Sequence, residues 1–128
     1  MLRTHSPTTV APPFSRYSHG VEVPASARWL HISGQVGVAP DGTVRQGAEA
    51  QIEQTWRNLL AILESAGMGP RDLVKVTTFL TDRANLQISR EVRERMLQGA
   101  EPASTLLIVS GLARAEWLVE IEAIAAAN

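Results

Sequence analysis

Residues 73–109, LVKVTTFLTDRANLQISREVRERMLQGAEPASTLLIV, decide the fold because they contain two strand patterns separated by one helix pattern. Leu73 to Leu80 alternates between two faces and is rich in β-branched residues, as is typical of a strand. From about Asn85 to Leu97 the charges alternate in sign, which predicts a helix with a solvated outer face. Ser104 to Val109 is again a strand pattern. The apolar stripe of the helix recurs every four positions, at Ile88, Val92 and Met96.

The flanking sequence extends this arrangement in both directions. Arg28 to Val36 alternates as a strand with one apolar face, and Ala48 to Ala66 has the stripe of a helix that is ended by Gly67. Weak alternation from Tyr17 to Val23 adds a short strand, and Leu118 to Ala125 adds a last one. The chain is therefore predicted to be an α+β protein with α/β-type layering, in which two helices pack on one face of a mixed sheet.

The strand at 104–109 is apolar on both of its faces. Leu106 and Ile108 point to one side, and Leu107 and Val109 point to the other. Because two helices cover only one face of a sheet, the second apolar face needs another cover, and a second copy of the same sheet is the simplest one. The sequence therefore predicts an oligomer whose subunits pack sheet against sheet, with clefts at the subunit boundaries.

Composition excludes several classes of function. The chain has 128 residues, enough for one domain, and 12 Lys and Arg against 13 Asp and Glu give a formal net charge of −1. That balance argues against binding to nucleic acid or to an anionic membrane. The absence of cysteine excludes thiolate chemistry, and the three histidines lack metal-ligand spacing. No apolar run could cross a bilayer and residues 1–15 do not resemble a secretory signal, so we expect a cytoplasmic protein with no membrane partner.

Two groups of residues are candidates for chemistry. Glu120 and Glu122 lie two positions apart in the last strand, so both carboxylates leave the same face, where one could act as a general base. Ser33 and Gly34 lie near the end of a strand, where glycine permits close approach of a ligand or of another backbone. Spacing alone favours the plainer alternatives, which are solvated or interface carboxylates and a β-bulge without a ligand.

Six short segments follow one another along the chain: 14–18 (FSRYS), 33–36 (SGQV), 58–60 (NLL) with 66–67 (AG), 74–82 (VKVTTFLTD), 101–105 (EPAST) and 119–125 (VEIEAIA). Together they resemble the RidA (YjgF) family of reactive-intermediate deaminases. They cover nearly the whole chain in the family's order, so the set is specific although each segment alone is weak. The resemblance implies one domain over residues 1–128, of which 1–15 form an extended N-terminal segment.

The resemblance implies a chorismate-mutase-like fold and a homotrimer with a barrel-like, sheet-lined centre and three clefts between subunits. In this family the cleft hydrolyses short-lived enamines and imines, such as 2-aminoacrylate, to a 2-oxo acid and ammonia, without a cofactor or a metal. By motif, Tyr17, Ser33 and Gly34 are expected to line a pocket for a small metabolite. Glu120 is expected to be the catalytic residue, which positions water or the departing ammonia.

One position departs from the family pattern. An arginine that holds the substrate carboxylate is expected after Pro102 and Ala103, but Ser104 stands there. Loss of such a charge-assisted bidentate pair costs about 2 to 5 kcal/mol, which is at least tens-fold in rate, so we expect weak activity on 2-aminoacrylate. Ser104 and Thr105 stay candidate substrate-binding residues. Arg90 in the second helix is a candidate replacement cation, with a solvated surface arginine as the alternative.

Three functions follow from these observations, in decreasing order of support. The first is a divergent family hydrolase that acts on a small enamine, imine or related carbonyl metabolite. The second is a non-catalytic trimer that binds a small metabolite or a protein partner. The third is an endoribonuclease, which ranks last because a net charge of −1, one tyrosine and two phenylalanines offer little to phosphates or to stacked bases.

Overall fold

All 128 residues are described by the computed structural model. Single turns of 3-10 helix at Pro70–Asp72 and Arg83–Asn85 precede the fourth strand and the second helix. The regular elements, in chain order, are β1 (Arg3–His5), β2 (Gly20–Glu22), β3 (Arg28–Val36), α1 (Ala48–Ser65), β4 (Leu73–Leu80), α2 (Leu86–Leu97), β5 (Ala103–Ile108) and β6 (Val119–Ala127).

The main sheet has four strands in the order β3-β6-β4-β5. β4 and β5 run parallel because α2 connects them, and the other neighbouring strands are antiparallel, so the sheet is mixed. α1 packs against β3 and β6, and α2 packs against α1. This arrangement confirms the predicted α+β fold with two helices and a mixed sheet. Neither helix combines the length and the apolar character that a membrane span requires.

The N-terminal segment contains more regular structure than the sequence predicted. β1 and β2 form a small antiparallel sheet of their own, with Thr4 opposite Val21. The weak strand expected from Tyr17 to Val23 is shorter, because Ser18 pairs instead with Ala103 at the start of β5. This pairing ties the N-terminal segment to one edge of the main sheet.

The hydrophobic core lies between the two helices and one face of the main sheet. Four residues of the predicted stripe of α1 are buried there, on the side of the helix that packs against β3 and β6, and the fifth, Ala66, is half-buried. The other face of the sheet has no cover within one chain, and Trp29 and Leu107 on that face are 53% and 46% exposed. The largest core residues, each at most 1% exposed, are Ile52, Trp56, Leu59, Leu63, Val76, Leu80, Val92, Val119 and Ile121.

The inward face of α2 differs from the prediction. Val92 is buried, but Ile88 and Met96 are only half-buried. The alternating charges of this helix predicted a solvated outer face, but Arg93 is only 6% exposed. Residues four apart share one side of a helix, so Arg93 lies in a row with the buried Ser89 and Leu97. The charged residues of α2 therefore do not all lie on its solvated face.

A buried glutamine fixes the chain that leads into β6. The Nε2 atom of Gln51 donates to the carbonyl oxygens of Arg45 and Glu116 at 3.1 and 2.9 Å, and its Oε1 atom accepts from the Leu118 amide at 2.9 Å. These three bonds satisfy an amide that is only 3% exposed. They fix the start of β6 relative to α1, and this fixes the position of Glu120 along the strand.

Candidate functional site

Glu120 lies on the face of the sheet that the helices leave uncovered. Its neighbours along β6, Val119 and Ile121, are fully buried beneath the helices, so strand alternation directs Glu120 to the opposite side. Across the sheet it pairs with Val36 of β3 and Phe79 of β4. The side chain is half-buried, and its carboxylate makes no hydrogen bond or ion pair within the chain. Both of its oxygens are therefore free to accept from water or from a ligand.

Gly34 makes room for the Glu120 carboxylate. The pairing of β3 with β6 shifts register between Ile32 and Gln35, which marks a β-bulge. A Cβ atom at Gly34 would lie 2.8 Å from Cδ of Glu120, closer than side chains approach one another. Ser33 and Gly34 therefore lie at a β-bulge, and the space beside Gly34 is occupied by the side chain of Glu120. We call Ser33, Gly34 and Glu120 the glutamate cluster.

A second group of polar residues forms where the N-terminal segment meets β5. The Oγ atom of Ser18 donates to the carbonyl oxygen of Glu101 at 2.6 Å, and its amide donates to Pro102 at 3.2 Å. These bonds place Tyr17 beside Ser104, the first polar side chain of β5 after Ala103. The Tyr17 hydroxyl accepts from the Phe14 amide at 3.3 Å.

Arg93 reaches this group from α2. Its Nη2 atom donates to Oγ of Ser15 at 2.9 Å, and its Nη1 atom lies 3.4 Å from Oγ of Ser104. Its Nε atom is buried and has no hydrogen-bond partner. Burial lowers the pKa of the Arg93 guanidinium below its usual range, since removal from water disfavours the charged form. Arg93 therefore places a guanidinium next to Ser104, the position of β5 at which the family arginine is missing.

These residues surround a cavity of about 310 Å³, which we call the arginine cavity. It contains three of the predicted site residues, Tyr17, Arg90 and Ser104, together with Arg93, which the sequence did not single out. Arg90 is half-buried and contributes to the wall of the cavity. The full lining is Phe14, Ser15, Tyr17, Leu86, Arg90, Arg93, Ser104 and Leu106.

The glutamate cluster and the arginine cavity lie on opposite sides of the sheet within one chain. Ser104 pairs with Val76, which is fully buried under the helices, so Ser104 faces the helix side. Glu120 pairs with Phe79, three positions further along β4 and therefore on the other face. No single pocket within one chain therefore contains both Glu120 and Ser104.

Thr105 does not share a site with Ser104, although the sequence grouped the two. It pairs with Thr77 on the uncovered face, and its hydroxyl accepts from Nζ of Lys75 at 2.7 Å. Adjacent residues of a strand point to opposite faces, which separates the pair. Thr105 therefore lies on the same face of the sheet as Glu120.

The fold and the site together define a small α+β domain with an unpaired carboxylate on one side of its sheet and an arginine-lined cavity on the other. The family model described as Endoribonuclease L-PSP matches residues 8–127. The chain belongs to this family, which is the RidA (YjgF) family that the sequence resembled.

Three similar proteins illustrate the family. A 2-iminobutanoate/2-iminopropanoate deaminase of Mus musculus is 36% identical over 124 residues, which cover 95% of this chain and 86% of that protein. The crystal structure of YyfB from Yersinia pestis, of the conserved Rid protein family, has a TM-score of 0.87 and 37% identity over 97% of both chains. The structure of E. coli TdcF with bound serine has a TM-score of 0.75 and 28% identity over 91% of both chains.

Proposed function

We propose that the protein is a cofactor-free hydrolase of small enamines, imines or related carbonyl metabolites, and that it acts as a homotrimer in the cytoplasm. The observation that carries the proposal is the Glu120 carboxylate, which lies on Gly34 at a bulge and has no partner in its own chain. Family membership supports it, because the similar mouse protein is named a 2-iminobutanoate/2-iminopropanoate deaminase.

Hydrolysis of a protonated imine needs a base first and an acid afterwards, and one carboxylate can be both. In the first step the oxygen of water bonds to the imine carbon while Glu120 accepts a proton from that water, which gives a carbinolamine. In the second step Glu120 returns this proton to the nitrogen, and the carbon–nitrogen bond breaks. The hydroxyl proton leaves with the ammonia as ammonium, and the oxygen becomes the carbonyl of the 2-oxo acid. An enamine enters the same path after protonation at carbon.

The trimer is part of the proposal because one subunit holds only separate halves of a site. The glutamate cluster lies by β3 and the arginine cavity lies by β5, and these two strands are the opposite edges of the sheet. Copies arranged side by side around a threefold axis, with their open sheet faces turned to that axis, would bring the glutamate cluster of one subunit toward the β5 edge, and with it the arginine cavity, of the next. The exposure of Trp29 and Leu107 supports such packing, since large apolar side chains on an open sheet face favour association.

We expect the purified protein to have three times the 13.9 kDa mass of one chain in light scattering. Leu107→Glu should dissociate it, because the new charge would be buried in the interface without a partner. Ala61→Glu adds the same charge to the exposed side of α1 and should leave the trimer intact. A monomeric parent protein at micromolar concentration would contradict the proposed assembly.

The activity is tested by generating 2-aminoacrylate or 2-iminobutanoate in a coupled assay and following release of the 2-oxo acid. We expect the protein to accelerate release over buffer. Ser104 in place of the family arginine predicts weak activity on both substrates unless another cation replaces that charge, because both carry the carboxylate that the arginine would hold. Lack of acceleration with every imine, combined with a ligand-dependent rise in melting temperature, would show instead the non-catalytic binding protein that is the alternative.

A further inference from the structure

Arg93 is a buried cation without an anionic partner. It is 6% exposed, it forms no ion pair, and two serine hydroxyls are the only groups that accept its hydrogen bonds. The buried Nε–H group has no acceptor at all. Burial of an unpaired charge is strongly unfavourable, so proteins normally supply a counter-charge from a side chain or from a ligand. No side chain of this chain does so.

A second unpaired guanidinium lines the same cavity. Arg90 precedes Arg93 by three residues, which places both on one side of α2, and Arg90 also forms no ion pair. The two charges interact, because Arg90 lowers the pKa of Arg93 in addition to burial, although Glu94 and Tyr17 act in the opposite direction. Two repelling cations that face one cavity are stabilised together by an anion between them.

The remaining polar groups of the cavity are also able to donate. The hydroxyls of Ser15 and Ser104 accept from Arg93, and that of Tyr17 accepts from a backbone amide, so each keeps its own hydrogen for a ligand. No carboxylate lines the cavity. The Arg93 guanidinium reaches the Oγ atom of Ser104, so α2 supplies the cation that β5 lacks at this position.

We propose that the arginine cavity binds a small ligand that carries two anionic groups, one held by Arg93 with Ser15 and Ser104 and the other by Arg90. A volume of about 310 Å³ accommodates such a ligand. Phe14, Leu86 and Leu106 give it an apolar wall. If the ligand is the substrate, this inference rests on the proposed function. The substrate is in that case an imine that carries a second anionic group besides its carboxylate.

The test is calorimetric titration of the purified full-length protein with succinate and with propionate, at constant ionic strength. The two acids share an alkyl chain and differ by one carboxylate. We expect succinate to bind at least about tenfold more tightly than propionate. Arg93→Met should weaken both ligands by more than about tenfold, whereas Arg90→Met should reduce the affinity for succinate to that for propionate. Arg95→Met is the matched control, since Arg95 lies on the same helix but pairs with Glu53.

Each result of the titrations supports or contradicts one part of the proposal. Equal affinity for the two acids, or equal loss for both in Arg90→Met, overturns the assignment of a dianionic ligand. Undiminished binding in Arg93→Met overturns the site itself. If Arg93→Met does not fold, Arg93→Lys replaces it, because lysine keeps the charge but not the forked donor and should still weaken both ligands. Binding of succinate by a protein that hydrolyses no imine contradicts the proposed function and leaves the site standing.

Discussion

Replacement of Glu120 by glutamine is expected to lower the rate of imine hydrolysis by about 10²- to 10⁴-fold at saturating substrate, which is the usual contribution of a positioned base. Glutamine has the same shape and fits on Gly34, but an amide does not accept a proton from water. The melting temperature should change little, because the Glu120 carboxylate has no partner in its own chain that would be left unpaired.

Glu122→Gln is the matched control for this variant. Glu122 lies two positions along β6, on the same face, and is exposed opposite Thr77. Its replacement removes the same charge and should leave the rate close to that of the parent protein. The assignment of Glu120 as the base would be wrong if Glu120→Gln kept its activity, or if both variants lost activity to the same extent. Measurement of kcat separately from KM distinguishes loss of chemistry from loss of binding.

The elements of the fold were predictable because their patterns are local. Alternation over 28–36 and 73–80 gave strands with the bounds that β3 and β4 have in the structure. The period of α1 likewise placed Trp56 and Leu59 in the core. The open, partly apolar face of the sheet was also evident from β5, since a strand that is apolar on both faces cannot be covered by helices on one of them.

The arrangement of the site was less predictable because it depends on contacts between distant parts of the chain. The buried guanidinium of Arg93 is stabilised by hydrogen bonds to Ser104 and to Ser15, which lies 78 positions earlier in the chain. A prediction based on the apolar stripe alone places every charged residue of α2 in solvent. The only sequence feature that indicated burial of Arg93 was its four-residue spacing from Ser89 and Leu97, which places the three residues on one side of the helix. Ser104 and Glu120 lie on opposite faces of the sheet because of the register in which β4 pairs with β5 and with β6. The composition of the strands does not specify that register.

Replacement of Gly34 by alanine is expected to lower turnover by about 10²-fold, because a shift of a reacting group by about 1 Å has an effect of that size. The new Cβ atom would lie 2.8 Å from Cδ and 3.0 Å from Cγ of Glu120, so the carboxylate has to move. Gly34 does not have a positive φ, so alanine adds no backbone strain there. Binding of succinate in the arginine cavity should persist, since neither Gly34 nor Glu120 lines that cavity.

A control and a double variant make this prediction specific. Gly69→Ala introduces the same methyl group where no atom lies within 4 Å and where φ is −137°, and it should leave turnover unchanged. Because alanine at position 34 acts through the carboxylate, it should have almost no further effect in a Glu120→Gln background, which is the non-additivity expected of residues in contact. Additive losses in the double variant would mean that Gly34 contributes to turnover independently of Glu120, by shaping the cleft for substrate instead of seating the base.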